Sequence, residues 1–454
     1  MRSIIFRISI VVLLVSHTAN LNGQIKTDYT LEESIALANT HATEILKGEN
    51  SVAISGAQVL AAYGQFLPDF SIGTAYAYTT GTTLTSVTAP ILVDSRRSNI
   101  NYQVQTTLNI FNGFSDQASL RAARLSKDVT ALTLERAHQF ITFDVTQSYL
   151  QVTLDRQIVE FAQQNLTTSR KREEQLDELV KVGRRAQSDL YQQQSQTALD
   201  QQFLANAENK FRNDRILLAR KLRIDPSIDY NFTDPLIDEQ PLVPGSADEQ
   251  TLVAKALQQR VDLKSSRLNQ EAAALYIRKY HGGYLPKVFL TGAAFGVGAH
   301  YNKLVVNNDP NTATPVLPSW GSQLGNQILG VGTLSINWTI FDRYYTKSNV
   351  AVARANAANA QIDYENTNLQ IVAETRQAYG NYMTAVQQVE TTEKGLTAAQ
   401  KAFETVNGRY SVGAANFIEL VITQNNLLLA KQNRAQVAIN LFLQKRTLDY
   451  YLGN

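Results

Sequence analysis

The chain of 454 residues has no cysteine, which removes disulfide staples, thiol metal sites and a lipid anchor through an N-terminal cysteine together. An excess of charge is missing too. The formal net charge is +2, and Arg2 and Arg7 both stand in the leader described below, so no electrostatic case for nucleic-acid binding can be built. His41, His138, His281 and His300 are scattered, with no pair at a helical metal spacing. No Gly-Lys-Ser phosphate loop occurs, so energy for any transport would have to come from a partner. Gly292, Gly296 and Gly298 lie inside a strand pattern with no helix after them, which excludes a dinucleotide fingerprint. No acid, histidine and nucleophile cluster, so the expectation is no catalytic residue, no cofactor and no metal. Beyond the leader no stretch has the length and apolarity of a membrane-crossing helix. Any crossing must therefore use a closed β-barrel, the other structure that satisfies every backbone group in lipid.

The leader is the first feature that is present. After Met1-Arg2-Ser3, Ile4 to Val15 is almost unbroken apolar sequence, shorter than the roughly 20 residues of a spanning helix. It reads as a secretory signal peptide ending near Gly23. An internal repeat organises the rest. Phe66-Leu67-Pro68 returns as Tyr284-Leu285-Pro286, and Ile110-Phe111 as Ile340-Phe341. From Phe111 to Gly183, and again from Phe341 to Gly413, the chain covers 72 positions without a gap. In that register Arg124 meets Arg354, Gln147 meets Gln377, Tyr149 meets Tyr379 and Glu160 meets Glu390. Equal spacing over this distance argues for rigid rods, because a packed helix cannot change length without turning every later side chain to another face.

Apolar residues step through the rods at coiled-coil intervals, as in Val145, Val152, Val159 and Leu166, or Tyr379, Tyr382, Val386 and Val389. No proline interrupts Asp116 to Val182, a helix of roughly 100 Å at 1.5 Å per residue. Strands show as period-two alternation. Phe70, Ile72, Thr74, Tyr76 and Tyr78 share one face; Tyr102, Val104, Thr106, Leu108 and Ile110 share another. In the second copy Phe289, Thr291, Ala293, Phe295 and Val297 are expected on an apolar outside, with Gly292, Gly296 and Gly298 on a crowded or watery inside. Phe66, Phe111, Tyr284, Trp338 and Phe341, at strand ends, are candidates for an aromatic girdle. Only four such strands exist, and the smallest membrane barrels have about eight. Several chains must share one barrel.

The fold class expected is mainly α with β: a duplicated long helical-hairpin repeat, plus four strands given to a shared transmembrane barrel. The boundaries are a signal peptide over 1–23, a first repeat over 24–224, a Pro-rich crossover over 225–247 and a second repeat over 248–454. Within the repeats, helices are expected at 31–64 and 248–280, strands at 69–80, 100–111, 287–299 and 330–341, and hairpins at 115–222 and 345–450. The segments Thr79 to Asn99 and His300 to Leu329 read as outward-facing loops.

This order resembles the outer-membrane efflux protein (TolC-like) family over essentially the whole mature chain. Its most specific pieces are Arg260-Val261-Asp262-Leu263, similar to the family's Arg-Pro-Asp-Leu, and the turns Val182-Gly183 and Tyr410-Ser411-Val412-Gly413. The resemblance implies a homotrimer in the outer membrane of a Gram-negative bacterium, with a shared 12-stranded barrel and a periplasmic helical tunnel. It also implies a periplasmic adaptor (membrane fusion) protein and an inner-membrane transporter as partners, and outer-membrane lipid around the barrel. The function implied is passive conduction for a tripartite efflux or type I secretion system, with no enzymatic activity. The rival readings are a periplasmic adaptor or coiled-coil scaffold, which would need only one hairpin, and a secreted enzyme on such a scaffold.

In this family the tunnel narrows at the hairpin turns. The carried-over constriction residues are Asp189 and Glu419, each six positions after its turn glycine (Gly183 and Gly413), together with Tyr410. Ala415 and Ile422 replace an arginine and a second acid of the family pattern. Arg184 and Arg185 are candidates for the missing positive charge, or else cations placed by the helix macrodipole. Asn416 and Glu419 are spaced as a capping box.

Overall fold

The computed structural model describes residues 26–84, 91–233, 248–306, 309, 311 and 316–453. The expected signal peptide, most of the crossover and parts of both connecting loops lie outside the described residues. In chain order the elements are β1 (Asp28–Tyr29), α1 (Leu31–His41), α2 (Thr43–Gly64), β2 (Ser71–Leu84), β3 (Leu92–Asn112), α3 (Ser115–Lys181) and α4 (Gln187–Lys221). Then come β4 (Asn231–Phe232), α5 (Glu249–Gln259), α6 (Val261–His281), β5 (Lys287–Val306), α7 (Trp320–Asn326), β6 (Ile328–Asn337), α8 (Tyr345–Ser411) and α9 (Phe417–Leu452). The rods α3 and α8 are 67 residues each, as their equal spacing in the sequence requires.

The helices expected as single pieces at 31–64 and 248–280 are each broken once. Ala42 (ψ 141) separates α1 from α2, and Arg260 (ψ 123) separates α5 from α6. In the repeat register these are the same position. Each break lets a short segment seat on its rod, α1 on α3 and α5 on α8. Around the first seat, Leu31, Ala38 and Ile45 pack with Tyr149, Val152, Leu218 and Phe232. Around the second, Ala256 and Leu263 pack with Ile371, Tyr382, Leu441 and Leu448. The Tyr149 hydroxyl lies 2.9 Å from the carbonyl of Tyr29 and 2.6 Å from that of Thr233, tying the rod to the parallel pair β1 and β4.

The four long strands form one antiparallel sheet in the order β2-β3-β5-β6. Among the described residues nothing pairs with the outer edge of β2 or of β6, and every residue of both strands is exposed. The register sorts the faces. Ile72 pairs with Val104 and Val104 with Ala294, so the Phe70–Tyr78 apolar set shares a face with the even-numbered residues of β3 and β5. That face includes Gly292, Gly296 and Gly298, whereas Phe289, Phe295 and Val297 sit with Asn101, Gln103 and Gln105. The expected assignment of the β5 faces is thus reversed relative to β2. The glycines are crowded, as anticipated, but by neighbouring side chains: a Cβ on Gly296 would stand 2.6 Å from the ring of Tyr102, and one on Gly298 3.2 Å from Ile100. Ile110 has no partner on β5, because a register shift between Asn109 and Phe111 interrupts the alternation.

The segments read as loops contain more structure than their composition suggests. β3 and β5 extend to Leu92 and Val306, joined near that end by an ion pair of 2.8 Å between Lys303 and Asp94. The short helix α7 packs beside them, where the Tyr102 hydroxyl donates to the carbonyl of Leu324 at 2.9 Å.

At the opposite end each strand pair turns directly into its rod. Gly113 and Phe114 before α3, and Arg343 and Tyr344 before α8, all adopt left-handed backbone conformations, with φ between 57° and 65°. Gly113 lies hard against Gly282, so that a Cβ on Gly113 would stand 2.3 Å from the Gly282 carbonyl oxygen.

Candidate functional site

The two hairpin turns fold by one rule. After α3, the amide of Arg184 donates to the carbonyl of Leu179 at 2.8 Å and that of Gly183 to Val180 at 2.9 Å; after α8, Ala414 donates to Arg409 at 2.8 Å and Gly413 to Tyr410 at 3.1 Å. This arrangement satisfies the last free carbonyls of a helix and needs a left-handed residue. Gly183 (φ 72°) and Gly413 (φ 79°) supply it. The returning helices differ. The Asn416 side chain accepts from the amide of Glu419 at 2.7 Å, whereas Ala186 offers α4 no side-chain cap. The expected capping box is only half made, because the Glu419 carboxylate turns away to Arg409 at 3.0 Å.

Leu176, Leu190 and Phe417 are buried together and draw the two tips into contact, with Val180, Tyr410 and Val421 packed around them. Tyr410 is the centre of the polar arrangement. The Arg185 guanidinium lies 4.4 Å from the centre of its ring and donates to its backbone carbonyl at 3.1 Å. Burial raises the pKa of the Tyr410 hydroxyl; Arg185 opposes the rise and Asp189 reinforces it. That hydroxyl is buried and has no hydrogen-bond partner among the described residues. Deeper along the hairpins, Arg172 of α3 hydrogen-bonds Gln424 of α9, and Gln424 donates to Asn165 at 2.9 Å.

Of the sequence candidates, Tyr410, Arg185 and Asp189 are brought together. Glu419 lies on the far side of its turn, paired with Arg409, and the Arg184 side chain is exposed. Arg409 was not a sequence candidate. It binds Glu419 and also donates to the Ala414 carbonyl at 2.9 Å, bracing the second turn from both sides. Its signal was faint, a cation in the last turn of α8 ten positions from an acid.

The girdle candidates all fall at the rod end of the sheet, around the starts of β2 and β5 and the ends of β3 and β6. Tyr284, Trp338 and Phe341 are exposed, and the Trp338 indole donates to the Tyr284 carbonyl at 3.0 Å. Phe66 and Phe111 are half-buried, Phe111 meeting Phe114 edge to face at 5.0 Å.

Comparison with known proteins gives a consistent picture. Residues 34–222 and 252–454 match the family described as Outer membrane efflux protein. Outer membrane protein TolC of Escherichia coli (strain K12) is 21% identical over 390 residues, 85% of this chain and 74% of that protein. Protein CyaE of Bordetella pertussis is 23% identical over 419 residues, 91% of this chain and 82% of that one. Among solved structures, the outer membrane protein VceC of Vibrio cholerae superposes with a TM-score of 0.77 at 15% identity, covering 93% of this chain and 96% of that chain.

Proposed function

We propose that this chain, which belongs to the outer membrane efflux protein family, acts as one third of a passive exit duct. Its place is the outer membrane, with the helices forming a tunnel in the periplasm. Three copies would give four strands each to one barrel. The observation that carries this reading is the sheet with two free edges: β2 and β6 run in opposite directions, so β6 of one copy can continue antiparallel onto β2 of the next. Open edges in lipid would leave backbone groups without partners, each at a cost of several kcal/mol, and closure removes that cost. A periplasmic adaptor and an inner-membrane transporter would meet the hairpin tips, and the transporter would supply the energy.

The test is to purify the protein from membranes, weigh the assembly by native mass spectrometry, and record it in planar bilayers. A trimer with steady ion conductance is expected. A monomer without conductance would sink the proposal, and recovery from the soluble periplasm would favour the adaptor reading.

The hairpin tips would form the constriction, held by the contact of Arg185 with Tyr410 rather than by the family's arginine at position 415. A cation over an aromatic ring is worth about 1 kcal/mol. Loss of that much favours the open tip about fivefold in each copy, and the copies act together. Arg185→Ala should therefore raise single-channel conductance or open time several-fold; unchanged currents would remove Arg185 from the gate. Acidic rings favour cations, but Glu419 is neutralised locally by Arg409. Asp189→Ala should accordingly reduce cation selectivity more than Glu419→Ala, as measured by reversal potentials in a salt gradient.

A further inference from the structure

A second site lies far from the hairpin tips, where α3 and α6 meet the sheet. A cavity of about 660 Å³ opens there, lined among others by Phe114, Arg121, Arg278, His281, Tyr284 and Leu285. The lining is thus both aromatic or apolar and cationic. Arg121 and Arg278 are exposed, and neither has an ion-pair partner among the described residues. The nearby acid, Asp116, is buried and accepts a hydrogen bond from Asn112 at 2.9 Å.

The repeat provides an internal control. In its register, Arg121 corresponds to Ala351, Arg278 to Leu60 and His281 to Tyr63. Each equivalent turn, from α2 toward β2 and from the sheet into α8, therefore forms without these charges, so neither turn requires them. Asn112 corresponds to Asp342, whose carboxylate accepts from the amide of Thr346 at 2.7 Å. Each junction thus carries one acid, Asp116 at the first and Asp342 at the second, and each is engaged by a hydrogen bond within its own turn. Helix electrostatics explain only one of the two arginines. Arg278 is near the end of α6, where a cation is favoured, but Arg121 stands in the second turn of α3, near the end where it is not.

We propose that this cavity binds an anionic glycerophospholipid of the inner leaflet of the outer membrane. The two guanidiniums grip its phosphate, a geometry in which arginine excels, and Phe114, Tyr284 and Leu285 receive the start of an acyl chain. The site rests on the reading of the adjacent aromatic ring as the inner membrane boundary. Basic pockets beside membrane-spanning elements take lipid headgroups on the same principle. A bound lipid there would help fix the depth of the barrel.

The test uses the full-length assembled protein in detergent, titrated with dioctanoyl phosphatidylglycerol, dioctanoyl phosphatidylcholine and inorganic phosphate while bound lipid is counted by native mass spectrometry. The phosphatidylglycerol should bind; the other two should bind poorly. The double variant R121A/R278L, which installs the residues of the second junction, should weaken binding about tenfold or more while leaving conductance intact. R121Q/R278Q, which keeps side-chain bulk, should behave alike and decides the matter if the first variant does not assemble. Equal binding of phosphatidylcholine, displacement of lipid by phosphate, or undiminished binding by the glutamine variant would overturn the proposal. The conducting duct would stand in each of those cases, whereas absence of conductance in the unmodified protein would defeat the duct instead.

Discussion

Replacing Gly113 by alanine is expected to remove the protein from the outer membrane. The reason is space. The added Cβ would lie 2.3 Å from the carbonyl oxygen of Gly282 and 2.8 Å from its carbonyl carbon and Cα. These are backbone atoms and cannot rotate away, so the strand-to-rod turn would have to separate from the end of α6. Left-handed backbone by itself is not the barrier, since Arg343 holds it at the equivalent turn with φ 57°. Overpacking against rigid backbone together with this strain should cost about 4 kcal/mol or more per chain. Gly183→Ala is the control. It has the same sign of φ but open space around it, so only the conformational penalty applies, about 1 kcal/mol. Immunoblots of outer-membrane fractions should show Gly113→Ala depleted and Gly183→Ala near normal. Equal amounts of both would refute the packing argument.

The second large effect is expected at Arg260, the arginine of the family-like motif. Its side chain is only 3% exposed, and it donates to Asp262 at 3.0 Å and to Glu374 at 2.5 Å. Asp262 is also 3.8 Å from Arg136, whose guanidinium lies 3.9 Å from the centre of the Tyr450 ring. One buried cation therefore fastens the start of α6 to the middle of α8 and faces the end of α9. Arg260→Leu would leave two carboxylates without their main partner. Because both are about a quarter exposed, the loss should fall at the lower end for a broken buried pair, about 3 kcal/mol. Thermal unfolding would measure it, with Glu374→Gln in the same chain restoring part of the loss.

The pH dependence has a definite sign. Burial alone would raise the Asp262 pKa, but its hydrogen bond and charge interaction with Arg260, aided by Arg136, hold it below the usual carboxylate range. A lowered carboxylate pKa stabilises the fold above the unfolded value, about 3.9, and that contribution is lost as pH falls through the folded value. Without Arg260, the burial that raises the Asp262 pKa is opposed mainly by Arg136. The stability gap between the two proteins should therefore narrow below about pH 4. A constant gap across pH would mean that the motif acts through packing alone.

The parts of this molecule that repeat were the parts that could be read in advance. Phe111 to Gly183 and Phe341 to Gly413 match in length, and α3 and α8 are 67 residues each because a packed rod preserves its register. Alternation identified which residues of β5 share a face but could not say which face, since the pattern looks the same from either side. Only the pairing of Gly296 with Tyr102 decides it. Contacts across long sequence separations were equally hidden. Gly113 and Gly282 meet although no local pattern joins them, and Arg409 reaches Glu419 only because the turn at Gly413 reverses the chain. The helix α7 is not legible in the sequence for another reason: with Gly321 and Gly325 in seven residues its own propensity is poor. It depends on the Ser319 cap and on Gln323, which bridges to the backbone of Ala299.

Among the described residues the outer edges of β2 and β6 are free, and this governs how copies would add. An edge of β2 meeting an edge of β6 is a head-to-tail contact, and such a contact has no built-in stopping point: each added copy presents the same unsatisfied edge as the last. Growth ends only if the accumulated turn of the strands brings the final edge round to the first. In the proposed assembly the copy number would therefore be written into the curvature of the four-stranded sheet, which contains the close approach of Tyr102 to Gly296 and the register shifts in β3. Flattening that sheet would produce open chains of protomers instead of closed rings.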